Sequence, residues 1–282
     1  MSERIRPGSA PGVLQTAGTM FAALHGEFTP HPPTGTEPVH DAYSLFLERS
    51  VAMGWHDDRS AGGGSEGKVR HAAGLWAMND AGSAQVGTAQ VGAPATWFQV
   101  DASAVADDRP LPVQPFLRCA EDATRRLGTL RLTAVQLLLP VQGLRKAVRP
   151  AYAPVPSMLT ADWFAGYGPR PRTPVRIHLN AGRETFLSDL ADRLAQRLHG
   201  LDQPVYTHTS HHRADQDPDL TPPFHPTWWN GPAPDGATLL GELAEWSLDA
   251  IGWTAETLAD LTAALGVRSA LLFTIRATGP TN

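Results

Sequence analysis

A chain of 282 residues with 42% hydrophobic and 18% charged content can bury a real core, which excludes wholesale disorder. A net charge of −5 argues against a general nucleic-acid binder, which carries a basic stripe. The single cysteine, Cys119, excludes an intrachain disulfide and a cysteine-based zinc site.

Met1 to Gly12 is polar and rich in Gly and Pro, and it reads as a disordered lead-in without the apolar core of a signal peptide. No later stretch approaches the ~18 consecutive apolar residues of a membrane span, so the expected compartment is the cytoplasm. Val13 to Leu24 is apolar but fits strand and helix equally. Asp41 can cap a helix carrying Tyr43, Phe46, Leu47 and Val51. Gly62-Gly63-Gly64-Ser65 lacks the Lys-Ser or Lys-Thr of a phosphate loop and reads as a surface loop. Leu75 to Met78, Ala84 to Val91 and Thr96 to Val100 have the look of short strands. A helix over Gln114 to Leu127 follows, where Cys119 serves as a small buried hydrophobe. Leu130 to Leu139, bounded by Gly128 and Pro140, reads as a central buried strand.

Prolines at 140, 150, 154, 156, 169, 171 and 174 make residues 140–174 a connection between a first half, 13–139, and a second, 175–282. In the second half, Val175, Ile177 and Leu179 alternate with Arg176, His178 and Asn180, the pattern of a half-buried strand. A helix from Phe186 to Leu198 stops at Gly200. Val205, Thr207 and Thr209 then alternate with Tyr206, His208 and Ser210. A polar loop is expected over 211–236, helices capped by Thr238 and Thr254 after it, and a closing strand over Val267 to Ala277. Leu127-Gly128 and Leu265-Gly266 each sit between a helix and a long apolar strand. That echo predicts an α+β fold of two related halves, each a small mixed or antiparallel sheet with helices on one face. A duplicated ferredoxin-like or α/β-sandwich arrangement fits.

Signatures of serine hydrolases, zinc proteases, dinucleotide binding and P-loops are absent. Asp215-Gln216-Asp217-Pro218-Asp219 resembles the start of a calcium loop, but Pro218, Leu220 and Pro226 break it. Strand alternation predicts a different constellation. Arg176, His178 and Asn180 share one face with Tyr206, His208 and Ser210, provided the two strands pair. The last strand adds Thr274 and Arg276. Arginines clamp anions and histidines move protons near neutrality. The leading expectation is therefore a cofactor-independent isomerase, cyclase or lyase of a small anionic metabolite. In it His208, His178 and Tyr206 act on the substrate while Arg176, Arg276 and Asn180 bind it. Phe224, His225, Trp228 and Trp229, in a Pro-rich loop, line a pocket or meet a protein partner or second copy. Two alternatives stand beside this: a noncatalytic subunit using the Phe224–Trp229 loop, and a metal enzyme using His208, His211, His212 and His225. Only Lys68 and Lys146 break an otherwise all-arginine set of 23 basic residues, which points to a GC-rich bacterial genome and to specialised metabolism.

Overall fold

The computed structural model describes residues 16–32, 40–57, 74–84, 92–103, 105, 109–144, 163–164, 171–182, 187–214, 220, 224–229, 231 and 236–279. The lead-in, the Gly62–Ser65 loop, the Asp215–Asp219 turn and most of the Pro-rich connection lie outside them. In chain order the elements are β1 (Thr16–Pro30), α1 (Ala42–Ala52), β2 (Trp76–Ser83), β3 (Thr96–Ser103), α2 (Val113–Leu127), β4 (Gly128–Leu139), β5 (Thr173–Asn180), α3 (Leu187–His199), β6 (Tyr206–Ala214), β7 (Gly236–Leu243), α4 (Leu248–Ala264) and β8 (Leu271–Ala277). No described helix is long and apolar enough to cross a membrane.

The protein is α+β, as expected, but its strands form one sheet where two small ones were foreseen. All eight are antiparallel, in the order β2-β3-β1-β4-β8-β5-β7-β6. One face carries Met20, Leu24, Phe98, Leu137, Phe273, Ile177 and Leu239, which pack with apolar residues of all four helices into a single core. The two long apolar runs are the buried strands predicted: Leu137, Leu139, Leu271, Phe273 and Ile275 are all buried, and the helices before them end at Leu127 and Ala264. Asp41 caps α1 as its sequence implies, accepting from Ser44 N–H at 2.8 Å. Cys119 is buried between Ser50 and the Phe46 carbonyl, and burial pushes its thiol up to about 12.

Three expectations fail in the second half. His211 to Ala214 belong to β6 and not to the polar loop foreseen over 211–236. Thr238 does not cap a helix; it lies in β7. Leu239 and Leu243 are four apart, a spacing that suits one helix face and also one strand face, so the pattern is ambiguous. Gly241 resolves it, because a Cβ there would overlap the Thr207 carbonyl and the Tyr206 ring across the strand pair. The helix after β7 starts at its own cap, Ser247, whose side chain accepts from Ala250 N–H, and it runs unbroken through Thr254.

The helix layer has its own polar joint. No side chain of its own caps α2 at Pro112. Glu256 of α4 fills that role from across the layer, accepting from Gln114 N–H at 2.7 Å. Gly252 makes the approach close enough, its bare Cα facing Gln114. Burial pushes the Glu256 carboxyl up to about 8, against 4.5 when exposed. The folded state thus holds this proton more tightly than the unfolded state, so its contribution is full below pH 4.5 and is lost as pH rises through about 8. Stability should fall across that window by on the order of 1 kcal/mol per pH unit. Glu256→Gln keeps an acceptor for Gln114 and should flatten the slope. Urea unfolding at pH 6, 7 and 8 measures it, and an unchanged slope in the variant counts against this role.

Candidate functional site

The face of the sheet away from the helices is built in rows that the strand registers define. The central row crosses Gly82, Trp97, Ala23, Gln136, Thr274, His178 and Thr238. Two residues along the strands, about 7 Å away, a second row crosses Phe21, Leu138, Leu272 and Asn180. Two residues the other way lies a row of His25, Ala134, Arg276 and Arg176. The face therefore grades from aromatic and aliphatic, through neutral polar, to cationic.

Alternation predicted Arg176, His178, Asn180, Thr274 and Arg276 on one face, and they share it. Much of that face is closed to solvent. His178, Asn180, Thr238, Thr274, Gln136 and His25 are all buried. Cover comes partly from the segment after β6. Phe224 stacks on Trp228 with ring centres 5.5 Å apart and sets its edge on Phe21 at 4.8 Å. The Leu220 carbonyl accepts from Gln136 Nε2 at 3.3 Å. Trp228 and Trp229 belong to a 3-10 turn at Pro226–Trp229, and His225 is exposed, its Nδ1 2.9 Å from Thr227 Oγ1.

His178 has its Nδ1 3.3 Å from Thr238 Oγ1, and the opposite edge of its ring rests on Gly236, where a Cβ would overlap it. Asn180 accepts from Gly182 N–H at 2.9 Å, turning the chain after β5. Arg176 and Arg276 face each other directly across β5 and β8, Arg176 exposed and Arg276 half-buried.

Two residues of this face were not foreseen. Gln136 is the one polar residue in the buried end of β4, and its position inside an apolar run was the available signal. His25 sits on β1 opposite a bulge in which Thr133 is skipped, and Gly26 follows it at φ +156°, pressed against the Arg131 carbonyl. His25 is only 3% exposed. Its ring lies near Gln136, Arg276 and the backbone of Gly92 and Ala93, yet neither ring nitrogen reaches hydrogen-bonding geometry. Burial pushes it down to about 4.

His208 and Tyr206 do not join this face. The expectation required β5 and β6 to pair, but β7 lies between them. Tyr206 stands opposite Leu243 and His208 opposite Gly241, both on the helix side, and after a bulge at Thr209 so does His211, opposite Leu239. His178 and His208 are thus on opposite faces. His208 instead lines an open groove of about 750 Å³ between α3 and β6, with His199, Gln196 and His211. With neutral rings, His211 Nε2 donates to Asp192 at 2.7 Å and His208 Nε2 donates to His211 Nδ1 at 3.1 Å. His208 Nδ1 is then the bare nitrogen, and it is buried. Burial, then His211 and His199, hold His208 below its usual range.

The metal alternative gathers no centre here. His211 faces the helices, His212 pairs across from Thr238 on the other face, and His225 bonds within its own turn. Among the described residues, no three His, Cys, Asp or Glu side chains surround a common point.

Gly236 is the residue on which the seat of His178 depends. Gly236→Ala should displace the imidazole and cost about 1–3 kcal/mol, the usual price of overpacking. Denaturant unfolding measures this, and an unshifted midpoint would mean the ring is not held there.

No family model, characterised protein or solved structure matches this chain.

Proposed function

We propose that this chain is a cytoplasmic enzyme of bacterial specialised metabolism that binds a small anionic metabolite on the second face of its sheet and moves a proton on it without a cofactor. The observation that carries the proposal is the Arg176–Arg276 cross-strand pair at the border of a buried polar row. Arginine side chains at the edge of a buried polar row suit a carboxylate, sulfonate or phosphate. The row beside them supplies neutral hydrogen-bonding groups, and the Phe21, Leu138 and Leu272 row, roofed by Phe224 and Trp228, supplies an apolar wall. His178 is the acid or base in this reading, with Thr238 orienting it. His208 is not, because its bare nitrogen lies on the other side of the sheet.

Residues 16–139 run βαββαβ with strands ordered β4-β1-β3-β2, and residues 173–277 run βαββαβ ordered β8-β5-β7-β6. We read these as two ferredoxin-like units, duplicated and fused edge to edge.

The partner-binding alternative keeps one observation in its favour: Trp228 is 41% exposed. Its stacking on Phe224 and contact with Phe21 favour the roof instead.

The test is a thermal-shift screen of small carboxylates, sulfonates and phosphates, followed by calorimetry and product detection on the hits. Arg276→Leu should weaken binding about 10-fold or more. His178→Ala should cut turnover about 10²- to 10⁴-fold. His208→Ala should leave both unchanged. Hits that depend on His208 and ignore Arg276 would move the site to the groove beside α3.

A further inference from the structure

The sheet forks at its midline. β4 and β8 pair from Leu139 and Leu271 only as far as Ala134 and Arg276. Beyond that point β8 stays with β5, where the Thr278 N–H donates to the Pro174 carbonyl at 2.9 Å. Gly128 to Leu132 of β4 stay with β1. Their other edge has no strand partner among the described residues.

The ladder decides which backbone groups that edge presents. The His31 N–H donates to the Leu127 carbonyl at 2.9 Å. Antiparallel pairs alternate between bonded and unbonded, so Thr129 and Arg131 turn their groups toward β1, while Leu130 and Leu132 turn theirs into the fork. The Leu132 carbonyl bears this out, since it accepts from Trp246 Nε1 at 2.9 Å. The N–H and carbonyl of Leu130 meet no partner among the described residues.

This edge lines a cavity of about 500 Å³ on the helix side of the seam, a volume typical of small-ligand sites. Leu24, Leu130 and Leu132 line it from the sheet, Thr124 from α2, and Trp246 and Leu248 from the turn into α4. The charged side chains around it are already paired, Arg125 with Glu121 at 2.6 Å and Arg131 with Glu27 at 3.0 Å. What the cavity leaves open is therefore apolar surface and one neutral donor–acceptor pair of backbone groups.

We propose that this fork is a further binding site, which takes an uncharged, extended peptide segment with an apolar side chain by strand addition to β4. One ligand residue lies opposite Leu130 and exchanges both backbone bonds with it. Cross-strand partners share a face, so the side chain of that residue enters the cavity among Leu24, Leu132, Leu248 and Trp246. Its two neighbours in the ligand turn to the opposite side. The site uses none of the groups of the anion-binding face.

The probe is acetyl-Thr-Leu-Thr-amide, added to the full chain. At saturation it should slow hydrogen exchange at the Leu130 amide by about 10-fold or more, read by NMR, and leave Thr129, already bonded to β1, unmoved. Methylating the leucine nitrogen of the peptide removes the donor to the Leu130 carbonyl and should weaken binding about 10-fold or more. Replacing that leucine by serine removes the apolar contact and should weaken it by a similar factor, about 10-fold. Arg276→Leu should leave the affinity for this peptide unchanged. No binding, no protection at Leu130, or equal affinity for the methylated peptide overturns strand addition at β4. Binding that is lost in Arg276→Leu overturns the location and moves the peptide to the other face of the sheet.

Discussion

Six residue pairs join β4 to β8, and among the described residues this is the one strand pairing that ties residues 16–139 to residues 173–277. Its register decides the chemistry of both faces. Val135, Leu137 and Leu139 meet Ile275, Phe273 and Leu271 on the helix side, while Ala134, Gln136 and Leu138 meet Arg276, Thr274 and Leu272 on the other. A slip of one residue would put Gln136 and Arg276 into the apolar core, so the register is strongly specified. The helix layer reinforces it from the other side, where Gly252 lets α4 approach α2 and Glu256 satisfies the open N-terminus of α2. Sheet and helix layer therefore cross the same line with independent joints, one apolar and hydrogen-bonded, one polar and buried.

How far the sequence revealed this depends on how distinctive each period was. The two apolar runs read as buried strands, the second opening at Leu271 and not at Val267, and the glycines before them marked the helix ends. Alternation in Val175, Ile177 and Leu179 likewise fixed β5 and the face of His178. The spacing of Leu239 and Leu243 fits both periods, and nothing local chose between them. What chose was the partner strand on each side of β7, together with the Tyr206 ring over Gly241, and those are facts of tertiary pairing. Once β7 is a strand it separates β5 from β6, and the expected meeting of His178 with His208 is lost. The bulge at Thr209 keeps His211 with His208 on the helix side, which a strict alternation of odd and even residues misassigns.

The part of the site that was legible came from β5 and β8, in one half of the chain, and the part that was not came from across the seam. Arg176, His178, Asn180 and Arg276 were readable because each lies on a strand with clean alternation. His25 lies opposite the bulge in β4, and its neighbour Gln136 is distant in sequence by 111 positions. No local pattern announces such a pair. A lone glutamine in Leu130 to Leu139 was a visible exception, but an exception gains meaning only when the opposing side chains are known.

Depth then sorts the polar groups into roles. Arg276 and Arg176 reach solvent, where guanidinium groups can attract an anion from outside. His25 is too deep to hold a charge, and burial keeps it neutral. Its linkage runs opposite to that of Glu256. The unfolded ring protonates near pH 6.5 and the folded ring only near 4, so His25 withdraws stability as pH falls through that interval, where Glu256 adds it. Between pH 6.5 and 8 only the Glu256 effect remains of the two. The loss of stability as pH rises over that upper range therefore follows the joint between α2 and α4, while from pH 6.5 down to 4.5 the two slopes oppose each other and the His25 effect emerges only in Glu256→Gln.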